Sequence, residues 1–253
     1  MVLSTYKRRA LEELRNVTEI SVEDATELLS MCEWDVSEAA ETLYAGAFVP
    51  SHRRKPAPPK IDMDKAKSWF NIYEDSETPK TMQVEGILRF FEDLHISPED
   101  IVVIVIAKYF QARNMFVFTE AEFLKGLTAL GVDSLADFQS KLPDLIEEID
   151  DFDEFKELYK FTFGWACPPS QKSVKKDTAI ALWRLLLGNQ FQYLDQWCEY
   201  VETVKKQVIS RDEWQLLLEF ASVTKDSLSG YDENEAWPVI IDDFVETLRN
   251  KSN

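Results

Sequence analysis

The sequence predicts an all-α fold, and three observations support this prediction. Glycine is rare, with 7 among 253 residues, and clear strand alternation is hard to find. Apolar residues recur instead at spacings of three and four. Helix-start signals, a Ser or Thr followed three residues later by an acid, recur at Ser21, Thr119, Ser134 and Ser210. A further start at Ser97 places Pro98 at the first helical position.

The composition limits the class of protein. Hydrophobic residues make up 45% of the chain and aromatic residues 12%, enough for a sizeable core. The net charge of −18 disfavours nucleic acid and anionic lipid as partners and favours basic proteins, although the same charge also serves simple solubility. The longest apolar run, Ile101–Ala107, is too short for a membrane span, and the first residues lack a signal-peptide pattern. We therefore expect a protein of the cytoplasm and nucleus.

A proline-rich and basic segment, residues 47–60, divides the chain. Prolines block helix continuation and stiffen the backbone, so we interpret this segment as a linker. Its basic cluster at His52–Lys55 is also compatible with a nuclear import signal or a nucleic-acid contact. Residues 1–46 predict a small domain with helices at Thr5–Asn16, Val22–Cys32 and Glu38–Ala45.

Residues 61–250 predict one larger helical domain. Aromatic residues recur at helical spacing, as in Phe152, Phe155, Tyr159 and Phe163, and mark faces that point into a core. Pro238 predicts the first position of a terminal helix, because its missing N–H costs nothing there, and we expect Trp237 to anchor the entry to that helix. That helix directs four apolar residues inward: Val239, Ile240, Phe244 and Leu248.

The sequence contains no recognisable catalytic or metal-binding motif. His52 and His95 are the only histidines, and neither provides an obvious base for Cys167. Phosphate-binding glycine loops and zinc-ligand spacings are missing. We predict a protein without catalytic residues, metal or cofactor; a thioester ligase that uses Cys167 is an alternative.

Residues 75–86 resemble an EF-hand calcium loop that has lost its ligands. Asp75 stands at position 1, but Lys80 replaces the glycine of the turn and Gly86 replaces the bidentate Glu at position 12. The second helix–loop–helix, Ala107–Phe123, has a basic and apolar loop. We predict EF-hand-like units without metal that keep an apolar pocket between paired helices; a calcium-responsive adaptor is the alternative function.

The small N-terminal domain resembles a ubiquitin-associated domain. Trp34, Asp35 and Ala39 match the Trp-Asp-x-x-x-Ala pattern at the turn into the third helix. The loop that faces ubiquitin in that family corresponds to residues 16–18, which lack its Met-Gly-Phe motif. The resemblance implies weak ubiquitin binding through Val17, Thr18, Leu43 and Tyr44. A small helical bundle without a ligand is the alternative.

From Ile61 to about Leu248, the chain resembles the defective-in-cullin-neddylation family. The strongest marks are LYKFTFGWA, AIALWRLLL, YLDQWCEY, RDEWQLLLEF and YDENEAWPVIIDDFVE, in the same order as in the family. The resemblance implies a ubiquitin-associated-like domain followed by a potentiating-neddylation (DCUN1) domain of EF-hand-like units. It also implies a scaffold-type co-ligase whose partners are a cullin with its RING subunit, the N-acetylated neddylation conjugating enzyme and ubiquitin.

The resemblance further implies two binding sites in the larger domain. An acidic patch for the basic winged-helix domain of a cullin comprises Asp212, Ala236, Asp242 and Asp243. An apolar pocket for the acetylated N-terminal Met of the conjugating enzyme comprises Ile87, Val103, Ile106, Ala107, Phe110, Met115, Phe116, Phe118, Trp165, Leu182 and Leu185. Acetylation removes the terminal charge, so the blocked end enters an apolar cavity without burying an ammonium group.

Overall fold

The computed structural model describes residues 5–18, 20, 22–48, 60–188, 190–225 and 227–251. These residues form thirteen α-helices and four strands of two or three residues, which confirms the all-α prediction. The chain forms two compact units, residues 1–58 and 59–253. Most of the predicted linker, residues 49–59, lies outside the described residues. No helix among the described residues is both long enough and apolar enough to traverse a bilayer.

The first unit is a bundle of three helices: α1 (Thr5–Thr18), α2 (Val22–Met31) and α3 (Val36–Tyr44). Its small core is built on Leu14, Leu28 and Ala39, which are fully buried. Asp35 caps α3, because its carboxylate accepts hydrogen bonds from the N–H groups of the first turn.

The helix boundaries of this unit differ from the predicted ones. Helix α1 continues past Asn16 to Thr18, so residues 16–18 are helical and the predicted loop there was wrong. The Thr18 hydroxyl donates to the Leu14 carbonyl at 2.6 Å within this last turn. The start signal at Ser21 lies outside the described residues.

The second unit begins with two helix–loop–helix pairs. Their helices are α4 (Met63–Tyr73), α5 (Val84–Asp93), α6 (Val102–Phe110) and α7 (Glu120–Leu130). Strands β1 (Thr81–Met82) and β2 (Phe118–Thr119) lie in the two loops and pair antiparallel, with Met82 opposite Phe118. A Cβ on Gly126 would lie 1.9 Å from the Phe110 ring, so only glycine allows α7 to approach α6 this closely.

Six more helices complete the second unit: α8 (Leu135–Glu148), α9 (Phe152–Ala166), α10 (Lys176–Leu187), α11 (Leu194–Thr203), α12 (Arg211–Val223) and α13 (Val239–Lys251). Strands β3 (Ser173–Lys175) and β4 (Val208–Ser210) precede α10 and α12 and pair antiparallel. The second unit therefore contains two short β-ladders that each connect a pair of loops.

The helix-start signals were correct where local chemistry decides. Thr119 and Ser210 form complete capping boxes, and the Ser134 hydroxyl accepts the N–H of Asp137. The start predicted at Ser97-Pro98 was wrong: residues 97–101 form a turn, and α6 begins at Val102. The Asp100 carboxylate accepts the Val102 N–H at 3.1 Å and so supports the later start.

Two of the predicted inward-facing residues point outward. Val239 is 72% exposed and Phe152 is 50% exposed, whereas the later positions of their patterns are buried. Each is the first residue of its helix, and only the following turns of the helix pack against the core. On α13, Ile241 and Val245 occupy the core beside Phe244.

Three buried aromatic residues connect α9, α10 and α12. The Trp183 indole donates to the Tyr159 hydroxyl at 3.0 Å, and this hydroxyl donates to the Trp214 carbonyl at 2.8 Å. The Trp214 indole donates back to the Tyr159 carbonyl at 3.0 Å. The Trp214 ring stacks on both other rings, at centroid distances of 4.8 and 5.4 Å. We call this arrangement the aromatic network. Burial raises the pKa of the Tyr159 hydroxyl well above its usual value.

Replacing Tyr159 with Phe should destabilise the protein by about 1–3 kcal/mol, because it leaves a buried indole donor and a buried carbonyl without their partner. Urea denaturation followed by tryptophan fluorescence measures the change. Tyr193→Phe, which alters a half-buried tyrosine at the start of α11, is the matched control and should change stability by less than about 0.5 kcal/mol. Equal midpoints for the two variants would contradict the importance of the network.

Candidate functional site

The acidic patch predicted near the carboxyl end is partly ordered by one hydrogen bond. The Tyr231 hydroxyl donates to Oδ1 of Asp242 at 2.7 Å and joins the loop before α13 to the first turn of that helix. Asp242 is half-buried, whereas Ala236 and Asp243 are exposed. Burial, followed by the bond to Asp242, raises the pKa of Tyr231 to about 12, so the hydroxyl stays protonated and continues to donate at neutral pH.

Ala236 lies on a turn that aromatic contacts hold in place. The Trp237 indole donates to the Asp232 carbonyl at 3.0 Å, and its ring stacks on Tyr231 at 6.1 Å. Phe220 meets both rings edge-on from α12. Trp237 therefore anchors the entry to α13, as the sequence predicts, and the small Ala236 side chain remains exposed beside it.

The charges around this turn are mostly negative. Asp232 accepts two hydrogen bonds from Asn234, one from the backbone and one from the side chain, and they lower the pKa of Asp232. Arg249 is a nearby cation: it approaches Glu233 to 3.6 Å and lies over the Tyr231 ring at 5.6 Å. Sequence reasoning missed both Arg249 and the Tyr231–Asp242 bond, because no helical period connects these positions.

Asp212 lies on a different helix from the rest of the patch. It belongs to the first turn of α12 and is exposed. Its neighbour Glu213 is used internally, because it completes the capping box with Ser210 and pairs with Lys206 at 2.5 Å. The structure thus joins Asp242 and Ala236 through the Tyr231–Trp237 stack. Among the described residues, no hydrogen bond or ion pair joins Asp212 to Asp242 or Ala236.

The residues of the predicted apolar pocket belong mostly to the core of the second unit. Eight are buried: Ile87, Val103, Ile106, Ala107, Phe110, Phe118, Trp165 and Leu182. Met115 and Leu185 are half-buried and pack against them, whereas Phe116 is 61% exposed. Helix α6 contributes four of the eleven residues, more than any other helix, and packs against α7 and α9. The set is therefore a largely buried apolar region, and its least buried members are Met115, Phe116 and Leu185.

Trp165 is the pocket residue with an unexpected feature. It lies in the last turn of α9, is 5% exposed and stacks on Phe161 at 6.3 Å. Its indole nitrogen is buried and has no hydrogen-bond partner among the described residues. The sequence identifies Trp165 as a candidate lining residue, but only the three-dimensional arrangement reveals the unpaired donor.

The residues predicted to bind ubiquitin meet at one end of the first unit. The Tyr44 hydroxyl donates to the Val17 carbonyl at 2.8 Å and joins the ends of α1 and α3. Val17 and Tyr44 are exposed, while Thr18 and Leu43 are half-buried. This end therefore presents two adjacent apolar side chains to solvent.

In the loop at residues 75–86, Asp75 accepts hydrogen bonds from the loop itself. The Asp75 carboxylate accepts the N–H groups of Glu77 and Thr78, at 3.1 and 2.7 Å. A Cβ on Gly86 would lie 2.2 Å from the Tyr73 carbonyl oxygen, so a ligating side chain cannot occupy this position without moving the backbone. Within the described ranges, no group of three or more His, Cys, Asp or Glu residues is arranged to hold a metal ion.

Cys167 follows α9 as its C-cap residue and is half-buried. Burial raises the pKa of its thiol, and the positive charge of Arg211 opposes this shift only in part. A raised pKa lowers the thiolate fraction at neutral pH, so this environment disfavours nucleophilic chemistry at Cys167.

Comparisons with known proteins identify close relatives. The family described as Cullin binding matches residues 137–247. DCN1-like protein 5 of Mus musculus is 35% identical over 205 residues, which cover 78% of this chain and 86% of the relative. DCN1-like protein 4 of Drosophila melanogaster is 37% identical over 72% of this chain and 73% of its own length. DCN1-like protein 3 of Xenopus tropicalis is 35% identical over 84% of this chain and 72% of its own length.

Titration of the full chain with millimolar calcium in a calorimeter should give only the heat of dilution, because Gly86 excludes a bidentate ligand and Asp75 is already hydrogen-bonded. A calcium-binding EF-hand protein titrated in the same buffer is the positive control. Heat with a stoichiometric endpoint would contradict the loss of metal binding and support a calcium-responsive adaptor.

Proposed function

The chain belongs to the DCN1-like family, and on this premise we propose that it promotes cullin neddylation as a scaffold rather than as a catalyst. One site binds the basic winged-helix domain of a cullin, in complex with its RING subunit. The other binds the acetylated N-terminus of the neddylation conjugating enzyme. The main supporting observation is the group of acidic residues around the Tyr231–Trp237 stack, within residues 137–247, the segment that matches the cullin-binding family.

The acidic patch has the chemistry that a basic protein surface requires. Asp212 and Asp243 are exposed acids that can pair with Lys or Arg, and Asp242 is held in place by Tyr231. Ala236 projects only a methyl group, so an opposing side chain can approach the backbone closely. The net charge of −18 increases the rate of encounter with a basic domain and makes that rate sensitive to salt.

The apolar region suits a blocked methionine. A free N-terminus would bring an ammonium group into a region lined by hydrocarbon and aromatic side chains, which is costly without a partner. Acetylation removes that charge. Because Met115, Phe116 and Leu185 are the least buried members of the set, we place the entrance beside them.

A scaffold of this kind needs no nucleophile of its own. The conjugating enzyme carries the modifier as a thioester, and a cullin Lys attacks it. Binding both proteins restricts their mutual orientation and raises their effective concentration, which lowers the entropic part of the barrier. The protonated and half-buried Cys167 fits this division of labour. We further propose that the first unit contacts ubiquitin weakly and that the protein acts in both cytoplasm and nucleus.

Asp242→Arg should weaken cullin binding by about 2–5 kcal/mol, because it replaces a carboxylate that pairs with the basic domain by a positive charge that repels it. Isothermal calorimetry with the isolated cullin winged-helix domain measures the loss. Thermal unfolding of the variant checks that removal of the Tyr231 bond leaves the second unit folded.

The matched control is Glu92→Arg, the same change of charge at an exposed position on α5. It should reduce affinity only slightly, through the change in net charge. Equal losses for both variants would indicate non-specific attraction and overturn the assignment of the patch. Unchanged affinity of Asp242→Arg would do the same.

A further inference from the structure

Two buried indole N–H groups lack a hydrogen-bond partner among the described residues, those of Trp165 and Trp197. Native proteins pair nearly all buried polar groups, since an unpaired donor forfeits the hydrogen bonds it made to water. Each exception therefore calls for an explanation, such as a ligand that supplies the missing acceptor.

The two indoles differ in their surroundings. Trp197 is fully buried, and its ring is enclosed by Trp183, Tyr200 and Phe244, with centroids 5.2–6.2 Å away. Trp165 retains 5% exposure and lies in the last turn of α9, where Phe161 and Cys167 are only half-buried. A ligand that enters from the margin of the core can therefore reach Trp165 far more easily than Trp197.

The chemistry of the proposed pocket makes the Trp165 donor distinctive. The other ten residues of the set carry only hydrocarbon, aromatic-hydrocarbon or thioether side chains, none of which has an N–H or O–H group. An acetylated N-terminus that enters this set brings a carbonyl oxygen, which loses its water. Within the set, the Trp165 indole is the one side-chain donor available to that oxygen.

We propose that the indole N–H of Trp165 donates a hydrogen bond to the acetyl carbonyl of the bound N-terminus and so selects acetylated over free N-termini. The inference rests on the function proposed above. An unmodified terminus presents an ammonium group, which is itself a hydrogen-bond donor. The ammonium group therefore leaves the indole N–H without an acceptor and places two donors next to each other. The acetyl oxygen accepts the hydrogen bond of the indole N–H, so both groups are buried with a partner.

This role predicts that affinity and stability respond differently to the same substitution. Trp165→Phe keeps an aromatic ring against Phe161 but removes the N–H group. Affinity for the N-acetylated conjugating enzyme should fall about three- to tenfold, the value of one neutral hydrogen bond. The melting temperature of the unliganded variant should fall by no more than that of Trp197→Phe, because both substitutions shrink a buried ring and neither removes an existing hydrogen bond.

Trp197→Phe is the matched control, since it removes the other unpaired indole N–H from a position on α11 that is enclosed by protein. It should leave affinity for the acetylated enzyme unchanged. The indole proton resonance that disappears from the NMR spectrum of Trp165→Phe should move downfield when the acetylated enzyme is added to wild type. The non-acetylated enzyme should not produce this shift.

The outcomes separate two failures. If wild type does not distinguish the acetylated from the non-acetylated conjugating enzyme, the pocket assigned in the proposed function is wrong, and the role of Trp165 is wrong with it. If wild type distinguishes the two enzymes but Trp165→Phe binds the acetylated form equally well, only the role of Trp165 is overturned. Equal losses of affinity in the Trp165 and Trp197 variants would also overturn it, because both would then act through packing.

Discussion

The aromatic network of Tyr159, Trp183 and Trp214 is the constraint on which both proposed sites depend. Each of its helices also carries a site residue: α9 carries Trp165, α10 carries Leu182, and α12 carries Asp212. Three hydrogen bonds and two ring stacks fix these helices relative to one another. Trp197 extends the contacts to Phe244 on α13, the helix of Asp242. The network therefore holds together helices that carry residues of both proposed sites.

A fixed separation is what a two-site scaffold requires. If the helices moved freely, binding of two partners would bring them near each other without restricting their orientation, and most of the rate advantage would be lost. Most residues of the two sites lie on helices, whose positions are held by packing, and Ala236 lies on a turn that Trp237 anchors. The unpaired indole of Trp165 fits the same arrangement, because a donor held in place loses little freedom when its acceptor arrives.

Local chemistry made part of this structure predictable from the sequence. Capping boxes at Thr119 and Ser210, the Asp35 turn and the Trp237 anchor depend on residues within a few positions of each other. The errors arose at helix ends, where more than one local arrangement is compatible with the sequence. The Thr18 hydroxyl bonds within the last turn of α1, the Asp100 carboxylate supports a later start of α6, and the first residues of α9 and α13 point outward. No sequence pattern predicts the Tyr231–Asp242 hydrogen bond or the unpaired indole N–H of Trp165, so only the folded chain reveals them.

The most direct test of the two-site scaffold is the initial rate of cullin neddylation, reconstituted with purified components, as a function of the concentration of this protein. A scaffold should raise the rate to a maximum and then lower it, because excess protein places the cullin and the conjugating enzyme on separate molecules. The maximum should fall between the dissociation constants for the two partners. A rate that rises to a plateau and stays there, or that never exceeds the rate without the protein, would contradict the proposed mechanism.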